Sequence, residues 1–331
     1  KIMLFHSSKK PTELSIIHLN KLQDKRQEQL KDALKNSQKD DKKCGLFGKL
    51  CKKAKDKAKD KKDKVDDKSK SKNDSKSVFV LDFDGDIKAS AVAHLREEIS
   101  VIISSAKAGD EVVVRLESGG GQVNAYGLAS SQLARLKRAG LTLTVCVDKI
   151  SASGGYMMAC VADKIIASDF AVIGSVGVVS QLPNFHELLK KHNIGYEMFT
   201  AGEYKRTVTI FGENDDEDRA KHQADIERIH ELFKTFVKKH RPKLDVEKIA
   251  TGEIWFGQDA LDLGLIDAIG TSDGYVLELI KEHEVLVLHT RTKPTLVEKL
   301  GLSEQVGIKA GEMVGHMVSS VGEQLAKYQR P

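Results

Sequence analysis

The stretch from Leu141 to Val161 constrains the fold of this chain more than any other. Leu141–Val147 reads as an apolar strand, and Tyr156–Val161 reads as an apolar helix. Between them lies Asp148-Lys-Ile-Ser-Ala-Ser-Gly-Gly155. A strand that passes into a helix through so tight a turn makes a βα unit, with the turn at the strand's carboxyl end. Gly154 and Gly155 let the backbone bend sharply and let other groups come close. The helix that follows aims its unpaired N–H groups back at the turn. Ser153 is thereby exposed where backbone donors can hold an oxyanion, which suits a nucleophile. The plainer alternative is an ordinary glycine turn ahead of a buried helix.

The rest of the chain extends the pattern. Val78–Phe83, Glu111–Leu116, Lys164–Ser168 and Ala171–Gly174 read as strands, with helical spacing over His94–Ile103 and Ala125–Leu136. Strands alternating with helices predict an α/β fold of βαβ units around a mainly parallel sheet. Sites in such sheets lie beyond the carboxyl ends of the strands. Both Ser118-Gly-Gly-Gly121 and the Ser153 turn fall there. A long amphipathic helix is expected over Asp216–His240, a further compact α/β piece around Trp255–Ile266, and a last strand at Val285–Leu288.

Four regions follow. Residues 1–30 read as a helical remnant with Leu14, Ile17, Leu19 and Leu22 in a partial stripe. Residues 31–76 are dominated by Lys and Asp and read as a charged linker or solvated helix. This stretch can account for the formal net charge of +5, and its interleaved aspartates and lack of aromatics argue against specific nucleic-acid recognition. Residues 77–290 form the folded domain, and 291–331 an amphipathic helical tail that suits docking. No window reaches the roughly 18 apolar residues of a membrane-spanning helix.

Of the cysteines, Cys44 and Cys51 lack zinc-type spacing, so no metal is expected; Cys146 and Cys160 lie in apolar runs and read as core residues. No Lys-Ser/Thr follows the triple glycine as a phosphate loop requires, and Asn124 stands where a dinucleotide fingerprint needs its last glycine. No cofactor is expected. An oxyanion loop asks only for an exposed N–H, which three glycines can offer. For the base, His186, His192, His222, His230 and His240 sit on expected helices. Lys205, in Ala201-Gly-Glu-Tyr-Lys-Arg-Thr207, lies in a glycine-marked loop. A lysine serves as a base only where burial brings its pKa well below about 10.4, and by spacing alone it reads as a surface residue.

Taken together, Arg115-Leu-Glu-Ser-Gly-Gly-Gly121, Val147–Ala159, Ile173-Gly-Ser-Val-Gly-Val178, Ala201-Gly-Glu-Tyr-Lys-Arg206 and Thr251-Gly-Glu-Ile-Trp-Phe-Gly257 resemble, in order and spacing, the signal peptide peptidase A family of serine proteases, most closely its SohB-type members. The resemblance covers about residues 77–284. It implies a Clp protease/crotonase-like spiral of βαβ units, with Ser153 as nucleophile, Lys205 as general base, Ser175 orienting the lysine, and Gly120 and Gly154 as oxyanion donors. One departure is Gly119, where the family loop carries proline, which leaves this backbone less pre-set. The resemblance further implies peptide or unfolded-protein substrates, a homo-oligomer, and association with the bacterial inner membrane through a segment preceding Lys1. The catalytic domain would then face the periplasm, although the lysine-rich linker leans cytoplasmic. A catalytically silent scaffold of the same fold and a crotonase-type acyl-CoA enzyme are the competing classes.

Overall fold

The computed structural model describes residues 12–41 and 76–292. The chain divides into a large unit, Ile16–His289, and a small one made from the two ends, 1–15 and 290–331, of which Thr12–Ser15 and Thr290–Thr292 are described. The elements run β1 (Thr12–His18), α1 (Leu19–Asp41), β2 (Ser77–Gly85), α2 (Val92–Ser105), β3 (Glu111–Ser118), α3 (Val123–Arg138), β4 (Thr142–Val147), β5 (Ile150–Ala152), α4 (Gly154–Ala159), β6 (Lys164–Ala167) and β7 (Val172–Gly174). Then follow α5 (His186–Lys191), α6 (Asp216–His240), α7 (Val246–Ile249), β8 (Ile254–Trp255), α8 (Gly257–Asp262), β9 (Ala268–Ile269), α9 (Ser272–Glu282) and β10 (Glu284–Thr292).

The expected α/β class with a mostly parallel sheet is what the chain forms. Its main path is β1-β10-β2-β3-β4-β6-β9, and the pairings from β10 through β9 are parallel. Side chains alternate across a strand, so a sheet covered on both faces needs apolar residues at successive positions. Val78, Phe79, Val80 and Leu81 of β2, and Val112, Val113 and Val114 of β3, are all buried. On one face Val78, Val80, Val113, Cys146 and Ile166 pack with Val276 of α9 and Val285 and Val287 of β10. The alternate residues point to the other face, where α2, α3 and α4 contact the strands.

At the end of β3 the sheet changes partner, and this sets up the site. Glu111–Arg115 pairs with β4, but Ser118 pairs with Ser151 of β5. β5 then pairs with β7, Ala152 opposite Gly174, and β7 runs antiparallel to β8. The carboxyl ends of β3, β5 and β7 are thus brought side by side. Asp148, where the central stretch begins, fixes this corner by accepting from the Ser272 N–H at 2.7 Å and from the Ser272 hydroxyl.

The amino-terminal reading needs correction. Leu14 and Ile17 lie in strand β1, and the helix starts only at Leu19 and continues to Asp41, into the expected linker. Thr12, Ile16 and Ile17 favour extended backbone, and the strand finds a hydrogen-bonding edge that local spacing cannot reveal. Asn20 ties the start of the helix to the rest of the large unit. Its side-chain amide donates to the Ile280 and His283 carbonyls at 3.1 and 2.8 Å, and its Oδ1 accepts from the Val285 N–H at 2.8 Å. The folded unit therefore reaches back before residue 77. The remaining linker, residues 42–75 with Cys44 and Cys51, and the expected tail helix lie outside the described residues. Among the described residues no helix is long and apolar enough to cross a membrane.

Cys146 and Cys160 are core residues, as their apolar surroundings suggested. Both are buried, and burial pushes each thiol up to about 12. A thiol so poorly ionised is a poor nucleophile. Native protein treated with iodoacetamide at pH 8 should leave both unmodified by mass spectrometry. Rapid alkylation of either would contradict this packing.

Candidate active site

Ser153 stands between the end of β5 and the head of α4 with φ 52° and ψ −118°, a conformation that L-residues adopt sparingly. Three contacts enforce it. Its N–H donates to the Gly174 carbonyl at 2.8 Å, its carbonyl accepts the Met157 N–H at 2.9 Å, and Ala152 is held in register with Gly174. Below, α4 is anchored by Tyr156, fully buried, whose hydroxyl donates to the Leu265 carbonyl at 3.0 Å. The glycines after Ser153 are required by space. A Cβ on Gly154 would lie 2.4 Å from the Tyr126 ring, and one on Gly155 would lie 2.4 Å from the Ser118 carbonyl oxygen.

Ser153 opens on a cleft of about 550 Å³. The triple-glycine loop and Gly154 form one side, Ser175 and Gly177 another, and Ile229, His230 and Phe233 of α6 close it. Ser175 also has a positive φ of 51°, and its N–H donates to the Glu253 carbonyl at 2.6 Å. His230 pins the same segment, with Nε2 3.2 Å from the Val176 carbonyl oxygen.

Four of the five expected site residues thus share one cleft: Ser153, Ser175, Gly120 and Gly154. The roles of the two glycines separate. Gly154 begins α4, and the first N–H groups of a helix have no partner within it. Gly120 packs against the turn, with a Cβ position 2.6 Å from the Gly154 nitrogen, but its own N–H donates to the Ser118 hydroxyl at 3.1 Å. The Gly120 N–H, expected to face an oxyanion, here meets the Ser118 Oγ.

Lys205 is not in this cleft. It is exposed and lines a second hollow of about 640 Å³ with Leu182, Tyr196, Met198, Phe199 and Phe211. That hollow belongs to the segment between β7 and α6. Asn184 bridges to the Thr209 and Gly212 carbonyls at 3.0 Å each, and Phe185 stacks on Phe211 at 6.1 Å. Gly202, at φ 99°, provides the turn in which the Lys205 N–H reaches the Gly202 carbonyl at 3.2 Å. The structure therefore places the expected nucleophile and the expected base in separate hollows. His230, one of the histidines expected on helices and passed over as the base, lines the cleft. Its position on α6 among Ile226, Ile229 and Phe233 was the available signal.

Comparison with known proteins supplies a family. Residues 2–133 match the family described as peptidase family S49 N-terminal, and residues 135–286 match peptidase family S49. A probable protease SohB from Haemophilus influenzae is 58% identical over 68% of this chain and 64% of its own length. A second, from Buchnera aphidicola, is 51% identical over 69% of this chain and 68% of its own. The chain thus spans just under two thirds of the Haemophilus protein. Among solved structures, a membrane-bound stomatin-specific protease aligns over 67% of this chain and 99% of its own at 12% identity and a TM-score of 0.43, a distance at which the likeness says nothing about chemistry. From two adjoining family matches and relatives this similar, the chain belongs to peptidase family S49.

Proposed function

We propose that this chain is the catalytic region of a serine endopeptidase. The observation that carries the reading is the strained serine at the head of α4, held where three strand ends meet and opening on a cleft. Ser153 Oγ attacks the peptide carbonyl carbon while its proton passes to the neutral Lys205 amine. The oxyanion is held by the Gly154 N–H. Collapse breaks the C–N bond, and the protonated lysine returns the proton to the leaving amine. Water then attacks the acyl ester, with Lys205 again taking and returning a proton. Ser175, beside Ser153, orients the lysine when it arrives.

A lysine works as a base only when water is kept from it. In this reading the 178–212 segment closes over the cleft, from the same subunit or from a neighbour in a homo-oligomer. The substrates are unfolded proteins or signal-peptide remnants at the bacterial inner membrane, on its periplasmic side, and the βαβ succession follows the Clp protease/crotonase spiral. The names of the relatives support peptide-bond hydrolysis. A second reading is favoured by one observation: His230 already shares the cleft with Ser153 and could take the proton in place of Lys205.

Fluorescently labelled unfolded casein tests the core of this proposal. The parent should release peptides, and Ser153→Ala, shown by circular dichroism to be folded, should fall to background. Cleavage that survives in Ser153→Ala would remove the serine from the mechanism. A silent parent whose Ser153 also resists a fluorophosphonate would favour the scaffold.

A further inference from the structure

Beneath the triple-glycine loop lies a chain of hydrogen bonds for which the proposed chemistry has no use. The Gly120 N–H donates to Ser118 Oγ at 3.1 Å, Ser118 Oγ lies 2.6 Å from the Tyr126 hydroxyl, and that hydroxyl donates to the Asp86 carbonyl at 2.8 Å. The Gly85 carbonyl lies 3.3 Å from Ser118 Oγ, a longer alternative. Each hydroxyl has one proton. With the tyrosine proton committed to Asp86, the short contact must be donated by Ser118, which leaves its lone pairs for the Gly120 N–H. The polarity is thereby fixed from Gly120 through Ser118 and Tyr126 to Asp86. Burial raises the Tyr126 phenol, so it stays a donor through neutral pH.

The same tyrosine touches the nucleophile turn. Tyr126 is fully buried on α3, and its ring fills the space that a Cβ on Gly154 would need. Ser118, also buried, ends β3 opposite Ser151, two residues before the nucleophile. One side chain thus meets the glycine loop through Ser118 and the serine turn through its ring. The loop needs such a hold. Gly119, Gly120 and Gly121 bring no side chains to order it, and glycine leaves the backbone the most freedom to lose.

We infer that Tyr126 and Ser118 form a latch that sets the Gly119–Gly121 wall against Ser153, and that both are positioning residues for the reaction. This rests on the reading of Ser153 as nucleophile, so the test separates the two. The rate at which a fluorophosphonate labels Ser153, with the serine oxygen displacing fluoride from phosphorus, is measured for the parent, Tyr126→Phe, Ser118→Ala, the double variant and Ser118→Thr. Tyr126→Phe keeps the ring that packs on Gly154.

Each single variant should label about tenfold more slowly. The double should be no slower than either single, because residues acting as one unit are not additive. Ser118→Thr, which keeps the hydroxyl, should label faster than Ser118→Ala. Parent-rate labelling of folded Tyr126→Phe and Ser118→Ala would overturn the latch, as would a double whose loss is the product of the singles. A parent that does not label would instead refute the nucleophile. The latch is then judged by amide hydrogen exchange across Gly119–Gln122, which should be about tenfold faster in Tyr126→Phe. Unchanged exchange there overturns it.

Discussion

Ser153→Gly should give a protein that cuts nothing and melts at a higher temperature than the parent. Two effects compete at this position. A serine held at φ 52° stores strain of about 1–3 kcal/mol that glycine does not feel. Glycine in turn gives the unfolded chain more freedom, which costs about 0.5–1 kcal/mol. The strain outweighs the lost freedom, so a net gain of about 1 kcal/mol is expected, or roughly 2–4 °C in Tm for a folded unit of this size. The contacts that enforce the turn are backbone bonds to Gly174 and Met157, and they persist in the variant. Calorimetry on the pair decides it. A lower Tm would mean that the serine turn is not where strain is stored, and would weaken the case that the fold is shaped to expose this hydroxyl.

Lys205→Ala should reduce cleavage by about 10²–10⁴, the range a positioned general base contributes, whereas His230→Ala should cost far less. The contrast is sharp because the two residues occupy different places. His230 already borders the cleft, while Lys205 is exposed in a separate hollow and, as the proposed base, would have to be brought to Ser153. If the 178–212 segment closes during the reaction, substitutions at Phe199, which is 90% exposed, should also lower kcat without altering the fold. The reverse pattern, with Lys205→Ala active and His230→Ala silent, would assign the base to α6. Single-turnover acylation measured beside steady-state cleavage shows which step each variant slows.

The serine turn was legible in the sequence because its demands are local. Gly154 and Gly155 must lack side chains, since a Cβ on either would strike Tyr126 or the Ser118 carbonyl, and a strand–Ser-Gly-Gly–helix string states this directly. The long helix α6 was equally readable, since apolar residues recur at helical spacing from Ile226 to Val237 and its start carries a capping box from Asp215 to Asp218. The amino-terminal strand was not readable. Extended backbone at Thr12–His18 gains its hydrogen bonds from a sheet edge far away in sequence, and only the folded molecule supplies that edge.

By itself, then, the sequence determined the α/β class, the mainly parallel sheet and the glycine-marked turns at two strand ends, because apolar periodicity and glycine positions are properties of neighbours along the chain. Tertiary structure decided the rest. The partner change at Ser118 from β4 to β5 brings Gly120, Ser153 and Ser175 to one cleft, and it depends on registers between distant strands. The same packing turned the Gly120 N–H inward to Ser118, brought His230 to the cleft and left Lys205 outside it. Motif spacing tells which residues a site can use. Which hydrogen bonds they make, and which of them meet, depends on how distant elements pack against one another.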